Sequence, residues 1–167
     1  DQTIPKPSDF NVDQMMEIEI TAHDGIKLHA WWHAPKEGMP SIVYYHGNAG
    51  HIGDRAYKFI DFISDGYGVL LMSYRYNANA QGSPSEETLI ADGLTAIDWL
   101  NAKNIPASDI LVQGESLGTG IAVAVAAEIN IKGLILEAPY SNIAEVAQST
   151  YWYLPAYWLV KDKFDSQ

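Results

Sequence analysis

Two short stretches carry the residue types that acyl-transfer chemistry needs. Gly114-Glu115-Ser116-Leu117-Gly118 has the spacing G-x-S-x-G, with a strand-like run, Ile110 to Gln113, before it and a helical run opening at Leu117. A serine at so tight a strand-to-helix turn is held in a strained backbone conformation. Glycine is then needed two residues to either side, where strand and helix pass closely. The small residues Gly118, Gly120, Ala122, Ala124 and Ala126 predict that the helix packs close to the sheet. The chemistry expected of Ser116 is nucleophilic attack on a carbonyl, giving an acyl-enzyme that water then hydrolyses. The plainer alternative is an ordinary serine at a helix N-terminus.

The second stretch, His46-Gly47-Asn48-Ala49-Gly50, directly follows another short apolar run, Ser41 to His46. A carbonyl under attack develops negative charge on its oxygen, and two backbone donors are needed to meet it. The N–H of Leu117, next to the nucleophile, and the N–H of Asn48 are the candidates. A phosphate-cradling loop is the competing reading of Gly47 to Gly50. Neither the Walker spacing nor G-x-G-x-x-G is present, since Val123 stands where the last glycine after Gly118-Thr119-Gly120 should be. His46 and His51 have no third clear ligand beside them, so no metal site is assigned.

The elements that must position these residues follow from periodicity. Met16 to Ala22 and Ile26 to Ala34 alternate around a turn at His23-Asp24-Gly25, with Leu28, Ala30 and Trp32 on one face, and predict an antiparallel hairpin. Ser41 to His46, Val69 to Tyr74, Ile110 to Gln113 and Gly133 to Glu137 are short continuous apolar runs, the texture of buried parallel strands. Helical stretches are expected at roughly Ile52 to Ser64, Ser85 to Ala102 and Leu117 to Ile129. The order predicts an α/β fold: a mostly parallel, doubly wound sheet with the N-terminal hairpin at one edge. Residues 1 to 167 read as one domain, and Asp1 to Val12, polar with Pro5 and Pro7, as a leader entering it. From 139 to 160 the aromatics Tyr140, Tyr151, Trp152, Tyr153, Tyr157 and Trp158 crowd together. They either cover the end of the sheet or wall an apolar substrate pocket, for which His46, Tyr140 and Trp152 are the named candidates.

Composition narrows the partners. With 21 acidic and 10 basic residues the formal charge is -11, which repels nucleic acid and anionic membrane surfaces. There is no cysteine, so disulfides and thiolate metal sites are excluded. The chain starts at Asp1 rather than methionine, and a removed upstream signal or anchor is the expectation; the compartment stays open.

Several blocks taken in order resemble one family. They are Tyr44-Tyr45-His46-Gly47-Asn48-Ala49-Gly50 with Asp54-Arg55, Gly66-Tyr67-Gly68-Val69-Leu70-Leu71, Gly82-Ser83-Pro84-Ser85-Glu86, Gly114 through Gly120, Leu136-Glu137-Ala138-Pro139-Tyr140, and Lys163-Phe164-Asp165-Ser166. The chain resembles the membrane-anchored, single-domain esterase branch of the α/β-hydrolase superfamily, usually labelled serine aminopeptidase-like or abhydrolase-domain proteins. The resemblance implies hydrolysis of a carboxylic ester, thioester or lipid acyl bond through Ser116, with no metal or organic cofactor. It also departs from the family: the pattern Asp-Tyr-Arg-Gly-Tyr-Gly reads Ser73-Tyr74-Arg75-Tyr76-Asn77-Ala78 here.

The larger departure concerns the triad. Its order in this fold is serine, then Asp or Glu, then histidine, but all five histidines, His23, His29, His33, His46 and His51, precede Ser116. Asp162 and Asp165 come too early to be the acid. Of the histidines only His46 is expected near Ser116, as a structural part of the oxyanion loop. The last strands of the fold, with the acid and base, are therefore expected beyond Gln167, and the 167-residue chain alone is expected to be nearly inactive. The strand at 133 to 137 would then be an open edge, which a second copy of the chain would cover if no further strand did. A hydrolase-like scaffold retained for binding is the non-enzymatic alternative, and a peptidase ranks below both.

Overall fold

The computed structural model describes residues 5–48, 51–75 and 85–137. Strands β1 (Met16–Thr21) and β2 (Lys27–His33) form the expected antiparallel hairpin, with Ile18 opposite Ala30 and Ile20 opposite Leu28. Its turn closes through Gly25 at φ 86° and the Asp24 carboxylate, which accepts the Ile26 N–H at 3.2 Å. Strands β3 (Ser41–Tyr45), β4 (Gly68–Met72), β5 (Ile110–Glu115) and β6 (Gly133–Glu137) complete a six-stranded sheet in the order β1-β2-β4-β3-β5-β6. β2 joins β4 antiparallel, and β4, β3, β5 and β6 run parallel. The sheet is mostly parallel and doubly wound, as the alternation of elements predicts.

Alternation along each strand feeds two cores. Val43, Tyr45, Leu70, Met72 and Val112 face one side with Leu28, Ala30 and Trp32; Ile42, Tyr44, Val69 and Leu71 face the other with Trp31. Helices α3 (Glu86–Asn101) and α4 (Leu117–Glu128) cover the first face, burying Leu89, Ile97, Leu100, Ile121 and Val125. Ser85 caps α3, its hydroxyl accepting the Thr88 N–H at 3.1 Å.

The second face differs from expectation in two ways. The helix expected from Ile52 to Ser64 is broken into α1 (Gly53–Ala56), a 3₁₀ turn (Tyr57–Phe59) and α2 (Ile60–Asp65). The tighter turn seats Phe59 in the core, its ring 5.0 Å from that of Tyr44, while Lys58 reaches the carboxylates described below. The N-terminal leader is also more than an entry segment. Pro7–Phe10 forms a 3₁₀ turn, the Phe10 ring lies 5.8 Å from Trp31, and Val12 and Met15 are buried in the second core. Apolar side chains within a polar stretch docked it where composition alone suggested passage.

β6 is an edge strand among the described residues, and Leu134, Ile135 and Leu136 are 39%, 39% and 40% exposed. The aromatic segment from 139 to 160, including Tyr140 and Trp152, lies outside the described residues, as do Asp162, Asp165 and residues 76–84. No described helix is long and apolar enough to cross a membrane.

Candidate active site

β3 stands between β4 and β5, so the chain leaves its C-terminal end toward one side of the sheet and returns on the other. Crevices open at such switch points, outside the carboxyl ends of the strands. Tyr45 at the end of β3 is in register with Gly114 near the end of β5. The residues that follow, His46 to Asn48 and Glu115 to Leu117, are thereby brought side by side.

Ser116 sits between β5 and α4 with φ 52° and ψ −116°. A non-glycine residue in such a conformation costs on the order of 1–3 kcal/mol and persists only where its surroundings over-determine it. Here they do. The Ser116 N–H donates to the Glu137 carbonyl at 3.1 Å, and its own carbonyl accepts from the Thr119 N–H at 2.9 Å and the Thr119 hydroxyl at 2.6 Å. A Cβ on Gly118 would run into the Tyr45 carbonyl oxygen, and one on Gly114 into the Gly118 backbone. The glycines are required by close approach of strand and helix, as the motif predicts. Gly120 is different: a Cβ there would meet nothing within 4 Å, so it takes no part in the close packing expected of it.

The loop after β3 abuts the elbow. A Cβ built on Gly47 would lie 3.3 Å from the Ser116 Cβ, which puts the half-buried Asn48 one residue further along the same rim. Leu117 is the first residue of α4, where backbone N–H groups have no acceptor within their own helix. His46 is fully buried. Its Nδ1 lies 2.6 Å from the Gly47 carbonyl, which can only accept, so the proton is assigned to Nδ1; Nε2 is buried without a hydrogen-bond partner among the described residues. Burial lowers the His46 pKa to about 4, against the smaller opposing effect of the Gly47 carbonyl, and the ring is neutral at pH 7. The Tyr74 hydroxyl donates to the His46 carbonyl and its ring lies 4.3 Å from the imidazole. His46 thus anchors the loop from below, and its ring makes no hydrogen bond to Ser116.

Sequence reasoning missed a cluster of charges around Glu115, the variable residue of the motif. The Glu115 carboxylate accepts from Lys58 Nζ at 2.7 Å, from Arg55 Nη2 at 3.2 Å and Nε at 3.3 Å, and from the Tyr44 hydroxyl at 2.5 Å. Lys58 also donates to Glu137 at 2.6 Å, and the Gln113 amide reaches the other Glu137 oxygen at 3.2 Å. Burial pushes the Glu115 carboxyl up, but the hydrogen bonds from Lys58, Tyr44 and Arg55 overcome it and hold the pKa at about 2. The Tyr44 phenol moves the other way, raised by burial and then by its carboxylate partner. The only signal in the sequence was indirect: Asp54-Arg55 and Glu137 lie in blocks that carry the family resemblance. Among the described residues no three His, Cys, Asp or Glu side chains gather to hold a metal ion.

Comparison with known proteins shows the family and the fold. The family model for acetyl xylan esterase (AXE1) matches residues 3–101. The lysophosphatidylserine lipase ABHD12 of Danio rerio is 30% identical over 95% of this chain and 50% of its own length, and protein bem46 of Schizosaccharomyces pombe 31% identical over 91% and 53%. The chain spans about half the length of these curated relatives. Among solved structures, the Pyrococcus furiosus esterase Pf2001 superposes with a TM-score of 0.70 over 89% of this chain and 58% of its own, at 21% identity.

Proposed function

The chain belongs to the acetyl xylan esterase family of the α/β-hydrolase superfamily, and on that premise we propose that it is a serine hydrolase of carboxylic ester, thioester or lipid acyl bonds. The observation that carries the reading is the backbone of Ser116, strained at φ 52° and ψ −116° against the Gly47-Asn48 loop. An ordinary helix-capping serine has no need of positive φ. Esterases and lipases among the relatives support the same class of chemistry.

In this mechanism the Ser116 Oγ bonds to the acyl carbon while its proton passes to a general base. The carbonyl oxygen becomes an oxyanion facing the N–H groups of Asn48 and Leu117. Collapse expels the alcohol or thiol, which takes up the proton, and water then releases the acid from the acyl-enzyme by the reverse sequence. Losing one such donor costs about 10²–10³ in rate. The base does not come from His46, whose ring is turned to Gly47, and no histidine follows Ser116 in the 167 residues. The oxyanion hole and binding alone retain about 10³–10⁴ over water, so this chain is expected to react slowly rather than not at all.

That expectation gives the test. Long incubation with a fluorophosphonate probe should leave a single adduct, mapped to Ser116 and absent from Ser116→Ala, and free imidazole should speed its formation by standing in for the base. An adduct scattered over other serines, or none even with imidazole, would overturn the proposal. It would leave the non-enzymatic binding scaffold.

A further inference from the structure

The cluster around Glu115 joins three segments that the chemistry requires in register. Glu115 immediately precedes the nucleophile. Glu137 lends its carbonyl to the Ser116 N–H and its carboxylate to Lys58 and Gln113. Arg55 belongs to the segment that returns from the Gly47-Asn48 loop. That segment is tightly laced: the His51 N–H donates to the Asp54 carboxylate at 3.0 Å, the Gly53 N–H to His51 Nδ1 at 3.1 Å, and Arg55 Nη1 lies 3.7 Å from Asp54.

We propose that Arg55 and Glu115 are positioning residues: the ion pair between them, braced by Lys58 and Glu137, holds the loop that carries the Asn48 amide at a fixed separation from the Ser116 elbow. The inference rests on Ser116 being the nucleophile. The loop is pinned on its entry side by Tyr74 through the His46 carbonyl. On its exit side Ile52 is buried in the second core, and the Arg55 guanidinium and the Lys58 ammonium both reach across to Glu115 on β5. Two donors on one carboxylate oxygen give a directional tie that a single ammonium would not reproduce. A shift of about 1 Å in such a loop is enough to cost about 10²-fold in rate, so a tie at this place acts on chemistry without touching it.

Hydrogen exchange on the full 167-residue chain separates the possibilities. In Arg55→Met, amides in peptides covering 46–56 and 114–118 should exchange about tenfold faster while those of β1 and β2 keep their rates, and Arg55→Lys should fall between. Glu115→Gln, which keeps size and shape, should reproduce the pattern and serves should Arg55→Met fail to fold. Ser116 phosphonylation, measured on the same proteins with imidazole present, should slow by at least tenfold in both. Unchanged exchange around the loop, or a uniform rise across the molecule, overturns the proposal. A wild-type protein with no Ser116 adduct refutes the nucleophile instead, and the exchange pattern still decides whether the tie exists.

Discussion

Among the described residues, two clusters hold a cation between carboxylates from distant parts of the chain, and they are built differently. In one, Arg75 beyond β4 donates from Nε at 2.9 Å and Nη2 at 2.6 Å to Asp92 of α3, and from Nη1 at 2.8 Å to Asp24 in the hairpin turn. Asp92 is fully buried and the Arg75 side chain only 3% exposed. In the other, Arg55, Lys58, Glu115 and Glu137 surround the elbow with side chains 15–41% exposed. The first is a closed staple between helix, sheet and hairpin. The second is a partly wet brace beside the Ser116 turn, where each charge has more than one partner or contact with water and a single loss costs little folding stability. Burial decides the difference: a charge stripped of water depends wholly on its partner, whereas a half-solvated one shares the load with solvent.

The sharpest way to test that contrast is Asp92→Asn. It leaves the Arg75 guanidinium buried with its bidentate partner neutralised and should lower unfolding free energy by about 3–5 kcal/mol, read from urea denaturation. A loss no larger than that of an elbow variant would erase the distinction between the clusters. Lys58→Met should cost only about 1 kcal/mol at neutral pH by the same measurement, because Arg55 and Tyr44 still hold Glu115.

Acid sharpens the comparison further. The Glu115 carboxyl titrates at about 2 in the folded protein against its usual 4.5, so its contribution is full above pH 4.5 and is lost as pH falls toward 2. Lys58→Met removes the strongest of the bonds holding that pKa down. The variant's Glu115 pKa therefore lies nearer its usual value, so the fall in urea midpoint below pH 4.5 should be smaller than the wild type's and should end at a higher pH, while Asp24→Asn should leave the Glu115 part of that fall as in the wild type. The smallest effect overall is expected from Asp24→Asn itself at pH 7, since Arg75 keeps both bonds to Asp92 and the Asp24 side chain is 35% exposed. Its urea midpoint should stay far closer to wild type than that of Asp92→Asn.

Most of the fold was legible because its signals are local and repeated. The hairpin, the four buried runs and the starts of α3 and α4 each rest on a few neighbouring residues, and the observed strand boundaries fall within two residues of those expected. The helix from Ile52 was misread as continuous because its break serves Phe59 and Lys58, whose partners Tyr44 and Glu115 are far away in sequence. The docking of Phe10 and Val12 escaped for the same reason.

By itself the sequence determined the turn at Ser116 and its place in the fold: a serine with its two glycines after a strand and before a helix, and a Gly47-Asn48 loop at the end of another strand. Those are short-range requirements of backbone geometry, written into adjacent residues. Only the tertiary structure decided that His46 faces inward, neutral and turned to Gly47, and that Glu115, an unconstrained letter of its motif, is the hub of a charge cluster. The physical reason is that burial and long-range charge pairing depend on which strands become neighbours. β3 and β5, separated by more than sixty residues of chain, meet only once the sheet has formed.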